Sequence, residues 1–266
     1  MNAFNLKHAD ERIQVSRDGA VAIVTIANPE RRNAMGRQMR LALRETIHHL
    51  LVADADSRAI VLTGAGGQFS AGADISEMTK RTVPQSREII DESCQVVRDM
   101  LGGPKPVICA VEGVAFGAGL SLAVATDYLV AASSARFCAA FLRIGLIPDT
   151  GILWTLPKKV GMSKARELLS LANEIDGIEA GRIGLANQVV EPGQALNAAI
   201  AYARQLAEQP PLGMAFLKAA LSFGADDMDA SLRAEIDYQP LLRQSQDHLE
   251  AANAFIEKRT PVFTGQ

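Results

Sequence analysis

The sequence predicts an α/β fold: a core over residues 1–193 built from repeated strand, turn and helix units, then a helical region over 194–266. Two patterns carry this prediction. Short apolar strands alternate with amphipathic helices in the first part, twice joined by glycine-rich turns. After Gln188-Val189-Val190-Glu191 only helical periodicities remain. At 266 residues, 48% hydrophobic and 21% charged, the chain is long enough to bury a substantial core.

The elements follow in order. Ile13-Gln14-Val15 and the run 21–26 flank Asp18-Gly19, a hairpin signal, and Asn28-Pro29-Glu30 breaks the second strand. Met39, Leu43, Ile47 and Leu50 recur at helical spacing over 36–52, and Asp54-Ala55-Asp56 ends that helix. A buried strand over 59–62 leads into the loop TGAGGQFSAGAD, and 85–101 is again helical. Residues 107–111 form a strand, 119–125 open a buried helix, and 128–131 form another strand. In the C-terminal part, helices are expected over 194–208, 211–223, 229–242 and 247–257, punctuated by Pro210-Pro211 and a loop at 224–227. That region is too small and amphipathic to stand alone, so it packs on its own core or on a neighbouring subunit.

Composition excludes several classes of function. A net charge of −3 argues against nucleic acid as the main partner, and the local pairs Lys158-Lys159 and Lys258-Arg259 read as solvated surface. The three cysteines, Cys94, Cys109 and Cys138, lack CxxC spacing and fit a reducing compartment. The histidines, His8, His48, His49 and His248, lack metal-ligand spacing, so no metal site is expected. The N-terminus has no apolar leader, and no run approaches the ~20 apolar residues of a membrane span. A cytoplasmic protein without membrane attachment is the expectation.

The chemistry concentrates in residues 105–151, KPVICAVEGVAFGAGLSLAVATDYLVAASSARFCAAFLRIGLIPDTG. A glycine-rich turn opens a helix there, and backbone N–H groups at a helix start hold developing negative charge. Asp149 stands in an otherwise apolar segment, where a carboxylate can move a proton. Together these are the parts needed to make and quench an enolate. An aspartate in Pro-Asp-Thr-Gly also shapes turns, and the residues alone leave the two roles level.

Several segments in order carry a family resemblance: NPERRNAM, LTGAGGQFSAGADISEM, KPVICAVEGVAFGAGLSLAVATDYLVAA, GLIPDTG, IGLANQVVEP and the ending AFIEKRTPVFTGQ. Along essentially its whole length the chain resembles the crotonase, or enoyl-CoA hydratase/isomerase, superfamily. The flavour is nearest its ring-1,2-epoxyphenylacetyl-CoA isomerase branch. The resemblance implies a ββα spiral core, a C-terminal helical region building homotrimers or dimers of trimers, and acyl-CoA thioester substrates. Coenzyme A arrives as part of the substrate, with no separate cofactor. It also implies an oxyanion hole from the N–H groups of Ala73 and Ala118, where losing one donor costs about 2.7–4 kcal/mol of transition-state stabilisation.

The chain departs from the hydratases of this family at both carboxylates that position water. One matching position is Ser121, in GAGLSL, and the other falls at Phe141. A serine cannot take a proton from water at neutral pH, and phenylalanine can neither donate nor accept. Hydration is therefore disfavoured, and Asp149 resembles the single acid/base of the family's enoyl-CoA isomerases. In aryl-CoA dehalogenases the equivalent aspartate is a nucleophile, so this residue alone leaves the reaction open. Leu146, Ile147, Phe141 and Trp154 are expected to desolvate it and raise its pKa. Ile152-Leu153, where relatives commonly carry Gly-Thr, is expected to narrow the acyl pocket.

For the coenzyme A moiety the resemblance nominates Arg32, Ala34, Ala71 and the terminal Lys258; Ser76 replaces a basic residue often found on the second loop. Ser121 is expected either to position a substrate group or to pack its helix. Asp74 and Asp127 read as partners of nearby backbone, and Glu112 and Arg98 as surface residues. The leading function is a 3-enoyl to 2-enoyl isomerase. Rivals are ring-epoxide isomerisation, residual hydration, dehalogenation through Asp149, and non-catalytic binding of a thioester.

Overall fold

The computed structural model describes residues 6–223 and 227–266, so Gly224, Ala225 and Asp226 of the expected 224–227 loop lie outside the described residues. In chain order the first elements are β1 (Ile13–Asp18), β2 (Val21–Ile26), α1 (Arg37–Val52), β3 (Ala59–Gly64), α2 (Val83–Gly102) and β4 (Val107–Val111). Next come β5 (Val114–Phe116), α3 (Ala118–Val124), β6 (Tyr128–Ala132), β7 (Arg136–Cys138), α4 (Ile152–Val160) and α5 (Met162–Leu171). The chain then runs through β8 (Ile175–Asp176), α6 (Gly177–Arg182), β9 (Gln188–Val190), α7 (Ala195–Ala207), α8 (Pro211–Phe223), α9 (Met228–Leu242) and α10 (Gln246–Glu257).

The hairpin forms as the sequence predicts, with Asp18 paired to Val21 and Gly19 at φ 56° in the turn. β2 then starts a parallel run, giving a six-stranded sheet in the order β1-β2-β3-β4-β6-β9. A second sheet, β5-β7-β8, was not legible in the sequence, because strands of two or three residues carry no alternation to read. Its position defines the spiral. β4 is followed by β5 and β6 by β7, so each turn adds one strand to the large sheet and one to the small sheet. β3 does the same in reduced form, since Ser70 just beyond it makes a parallel bridge to Ala115 of β5.

Period-two alternation decides how the large sheet is covered. Val21, Ile23, Ala59, Val61, Ile108, Ala110 and Val130 share one face and pack on α7. That helix meets them with Ala195, Ala199, Ala203 and Ala207, a stripe at four-residue spacing whose small side chains let the helix lie close. The other face, including Val24, Leu62, Cys109 and Leu129, joins the larger core with Met39, Leu43 and Ile47 of α1. α2 packs on α1 and opens with a capping box between Thr82 and Gln85.

Some residues expected at the surface are tied into the fold. Glu112 accepts from the N–H of Ala195 at 3.0 Å, satisfying a free donor at the start of α7 rather than standing in water. Asp127 accepts from the Val107 N–H at 2.7 Å, as expected, and also pairs with the buried Lys218 of α8 at 2.7 Å. Arg98 is exposed beside Asp91, as expected. Lys159 is not simply solvated: burial lowers its pKa, partly countered by Asp127. No described helix is long and apolar enough to cross a membrane.

Glu112→Ala is expected to cost about 1 kcal/mol of stability by freeing a helix N-terminal donor. Urea unfolding measures it, and an unchanged midpoint would show that water replaces the cap without loss.

Candidate active site

The bridge between Ser70 and Ala115 sets two loops in register. Ser70 N–H donates to Val114 O at 2.8 Å, and Phe116 N–H donates to Ser70 O at 3.0 Å. Ala73 and Ala118 each follow these bridge partners by three residues, so they occupy matching places on adjacent turns of the spiral. Glycines permit the close approach. A Cβ at Gly72, which sits at φ 95°, would lie 2.6 Å from Phe116 O and 3.1 Å from Ala118 N. A Cβ at Gly119 would lie 2.4 Å from Ser70 O.

Ala73 is held on its other side by Met35, which donates to Gly72 O at 2.8 Å and accepts from Asp74 N–H at 3.1 Å. That pairing uses the groups flanking Ala73 and leaves its own N–H free. Ala118 is the first residue of α3, where a helix has no internal acceptor for the N–H. Among the described residues, neither amide has an acceptor within the chain. Both residues line one cavity of about 420 Å³.

Asp149 lines the same cavity. Thr150 at φ 54° and Gly151 at φ 78° turn the chain sharply after it, and Gly151 packs so closely on α2 that a Cβ would meet Val97 at 2.7 Å. Two hydroxyls hold the aspartate. Ser121, fully buried on α3, donates to the Asp149 backbone carbonyl at 3.0 Å, and Thr150 donates to carboxylate Oδ1 at 2.9 Å. Burial raises the Asp149 pKa; the Thr150 hydroxyl and Arg40 oppose the rise without cancelling it.

Two further carboxylates line the cavity, Asp74 and Glu77. Asp74 accepts from Arg31 at 2.6 Å and from Ser76, as the cap of a short 3-10 turn. Glu77 accepts from the Arg37 N–H at 2.8 Å. Asp149 has no such cation: its carboxylate is bonded to the neighbouring threonine alone, among the described residues.

The desolvating walls differ in part from expectation. Leu146 and Ile147 line the cavity as predicted, while Ile89 and Ile90 of α2 supply the apolar wall that the sequence did not reveal. Phe141 is buried in the core and does not line it, because its short 3-10 turn directs it inward. Trp154 lines a separate cavity between α4 and α8, with Lys158 4.2 Å above its ring; α4 starts after the Asp149 turn and carries it away. Ile152 and Leu153, expected to narrow or reshape the acyl pocket, do not line this cavity: Ile152 is buried in the core and Leu153 is exposed. Arg40 of α1 lines the cavity and was not found from the sequence, where it reads as one more polar helix position.

The residues nominated for coenzyme A gather only in part. Ala71 N–H donates to Arg32 O at 2.8 Å, and Ala34 O accepts from the Asn28 side chain at 2.9 Å, which brings both loops together beside Ala73. Arg32 is exposed there in a left-handed conformation. Arg31 reaches Ser76 at 3.0 Å, putting a cation where Ser76 itself lacks one. Lys258 is exposed at the end of α10, and no described hydrogen bond or ion pair joins it to these loops.

Comparison with known proteins identifies the family. Residues 16–266 match the Enoyl-CoA hydratase/isomerase family, and the chain belongs to it. It is 37% identical to the 1,2-epoxyphenylacetyl-CoA isomerase of Escherichia coli K12, with all of both chains covered. It is 35% identical to the short-chain-enoyl-CoA hydratase of Clostridium acetobutylicum, over 92% of this chain and 94% of that one. Among solved structures, an enoyl-CoA hydratase from Polaromonas sp. JS666 superposes with TM-score 0.89 at 33% identity, covering 95% of this chain and 99% of that one. An enoyl-CoA hydratase from Bacillus anthracis gives TM-score 0.91 at 29% identity, covering 96% and 100%. The fold is the crotonase fold.

A carboxyl whose folded-state pKa is raised contributes stability below the ordinary aspartate range, and that contribution is lost as pH rises through the raised value. Asp149→Asn is therefore expected to raise Tm relative to wild type at pH 8, with a smaller gain at pH 4. A gain that is equal at both pH values would show that ionisation of Asp149 does not cost stability.

Proposed function

We propose that the protein is an acyl-CoA double-bond isomerase converting a 3-enoyl thioester to the 2-enoyl isomer. Asp149 serves as its single acid/base, and the Ala73 and Ala118 amides form the oxyanion hole. The observation that carries this reading is the meeting, in one cavity, of two free amides with a carboxylate that has no ion-pair partner among the described residues. Asp149 removes a proton from C2, and the electrons of that bond move onto the thioester carbonyl oxygen as a dienolate. The two amides hold the oxygen in a water-poor site where such donors act strongly. When the dienolate collapses, C4 takes the proton back from the Asp149 carboxyl and the double bond lies between C2 and C3. Base and acid are the same group, so no second carboxylate is needed.

Support also comes from what fills the two hydratase positions. Ser121 gives its hydroxyl to the Asp149 backbone carbonyl, and Phe141 lies in the core. Neither is available to position a water, which weighs against hydration. The similarity to a 1,2-epoxyphenylacetyl-CoA isomerase favours a second reading, in which the same enolate machinery opens and rearranges a ring epoxide. No separate cofactor enters either route.

The loop pair holding Arg32, Ala34 and Ala71 is proposed to take the coenzyme A moiety, with Lys258 as an outlying contact. The helical region is proposed to build a homotrimer or dimer of trimers in the cytoplasm. Leu232 and Ile236 of α9 and Phe255 and Ile256 of α10 are exposed apolar side chains, as a subunit interface requires.

Asp149→Asn is expected to lower kcat for a 3-enoyl-CoA by about 10³-fold, a loss typical of removing an acid/base. Undiminished turnover, followed by the absorbance of the conjugated product, would remove Asp149 from the mechanism. In wild type, kcat/KM should rise with pH through a limb above the ordinary aspartate range, since the base acts ionised and burial raises its pKa. A limb at the ordinary aspartate value would contradict a desolvated base. Light scattering coupled to size exclusion should give a mass of three or six chains, and a monomer would contradict the proposed assembly.

A further inference from the structure

Arg40 is a cation with unused donors inside the cavity. It lies one residue beyond the fully buried Met39 on α1 and lines the same space as Ala73, Ala118 and Asp149. Among the described residues, its side chain makes one hydrogen bond, from Nη1 to the Met35 carbonyl at 2.9 Å. A guanidinium carries five N–H donors, so most of its hydrogen-bonding capacity is unspent. No carboxylate lies within ion-pair distance of it among the described residues. Of the acids that act on it, Glu77 is engaged by the Arg37 N–H and Glu92 by the Arg37 side chain, while Asp149 acts on it through space without a hydrogen bond. Burial lowers the Arg40 pKa, and Glu77 and Asp149 only partly oppose this.

Bracing Met35, which also holds the Asp74 amide, accounts for a single donor. It does not account for a planar fork kept in a cavity that also holds the apolar side chains of Ile89, Ile90, Leu146 and Ile147 beside its polar residues. A purely hydrocarbon acyl group would leave those donors without partners in a desolvated cavity, which is costly. An oxygen on the acyl group would satisfy them, and a carboxylate would do so through two parallel bonds.

We propose that Arg40 is a specificity residue that selects acyl groups bearing a hydrogen-bond-accepting oxygen over plain hydrocarbon chains. The inference rests on the acyl-CoA reading given above and names the substrate class within it. Calorimetric titration of wild type with three saturated six-carbon thioesters tests it without turnover: hexanoyl-CoA, 5-oxohexanoyl-CoA and adipoyl-CoA. At least one oxygenated thioester should bind about tenfold more tightly than hexanoyl-CoA, as expected where a site is built to hydrogen-bond its ligand. The better of the two identifies a neutral or an anionic acceptor. Arg40→Met should abolish that preference, and Arg40→Lys should keep part of it for adipoyl-CoA.

Equal wild-type affinity for all three, or a preference that survives Arg40→Met, overturns the proposal. A 3-enoyl-CoA assay on wild type separates the two ideas. Turnover without a binding preference removes the role of Arg40 alone, and a binding preference without turnover removes the isomerase reading alone. Failure of all three thioesters to bind removes both.

Discussion

The parallel bridge between Ser70 and Ala115 is the constraint on which the site depends. It joins the segment after β3 to β5, and it places Ala73 and Ala118 three residues beyond its two partners. The residues around it serve that register. The Ser70 hydroxyl donates to Asn33 O at 2.8 Å and accepts from Gly72 N–H at 3.1 Å, fixing the loop from within. Asn33 in turn donates to Ala65 O and Gln68 O, so the NPERRNAM loop is tied to the loop that follows β3. Both amides are thereby held in place by backbone pairing, braced by the Ser70 hydroxyl and the Asn33 side chain.

A carboxylate in the same cavity completes the arrangement, and its environment is built by subtraction. The hydratase-type acids are replaced by a serine that ties down the Asp149 backbone and by a phenylalanine in the core. The other cavity carboxylates are occupied by Arg31 and by the Arg37 amide. Asp149 is left with a threonine hydroxyl, apolar side chains beside it and a pKa that burial raises above the ordinary aspartate range. Arg40 adds a cation from α1 to the same cavity.

Much of the fold was legible in the sequence because its signals are local. The hairpin, α1, α2, the strands of the large sheet other than β9, and the four C-terminal helices follow from periodicity and turn residues. The segment from Arg136 to Arg182 was not legible, since β7 and β8 are too short for alternation and α4 to α6 follow one another without strong punctuation. At the site, Ala73, Ala118 and Asp149 were identified through motif resemblance, and the structure brings them to one cavity. Trp154 and Phe141 were placed wrongly because nearness along the chain was taken for nearness in space, while the turn at Thr150-Gly151 sends α4 away. Arg40 escaped notice for the opposite reason. It is 109 positions from Asp149 in the chain, and only the packing of α1 on the core brings it there. Glu112 likewise acquires its role only from Ala195, across the fold.

The most direct test of the central claim is a crystal structure with a saturated acyl-CoA thioester bound. The account predicts the thioester carbonyl oxygen within about 3 Å of both the Ala73 and Ala118 nitrogens, with the Asp149 carboxylate facing C2 to C4 of the acyl chain. A carbonyl that meets neither amide, or an acyl chain running away from Asp149, would contradict it.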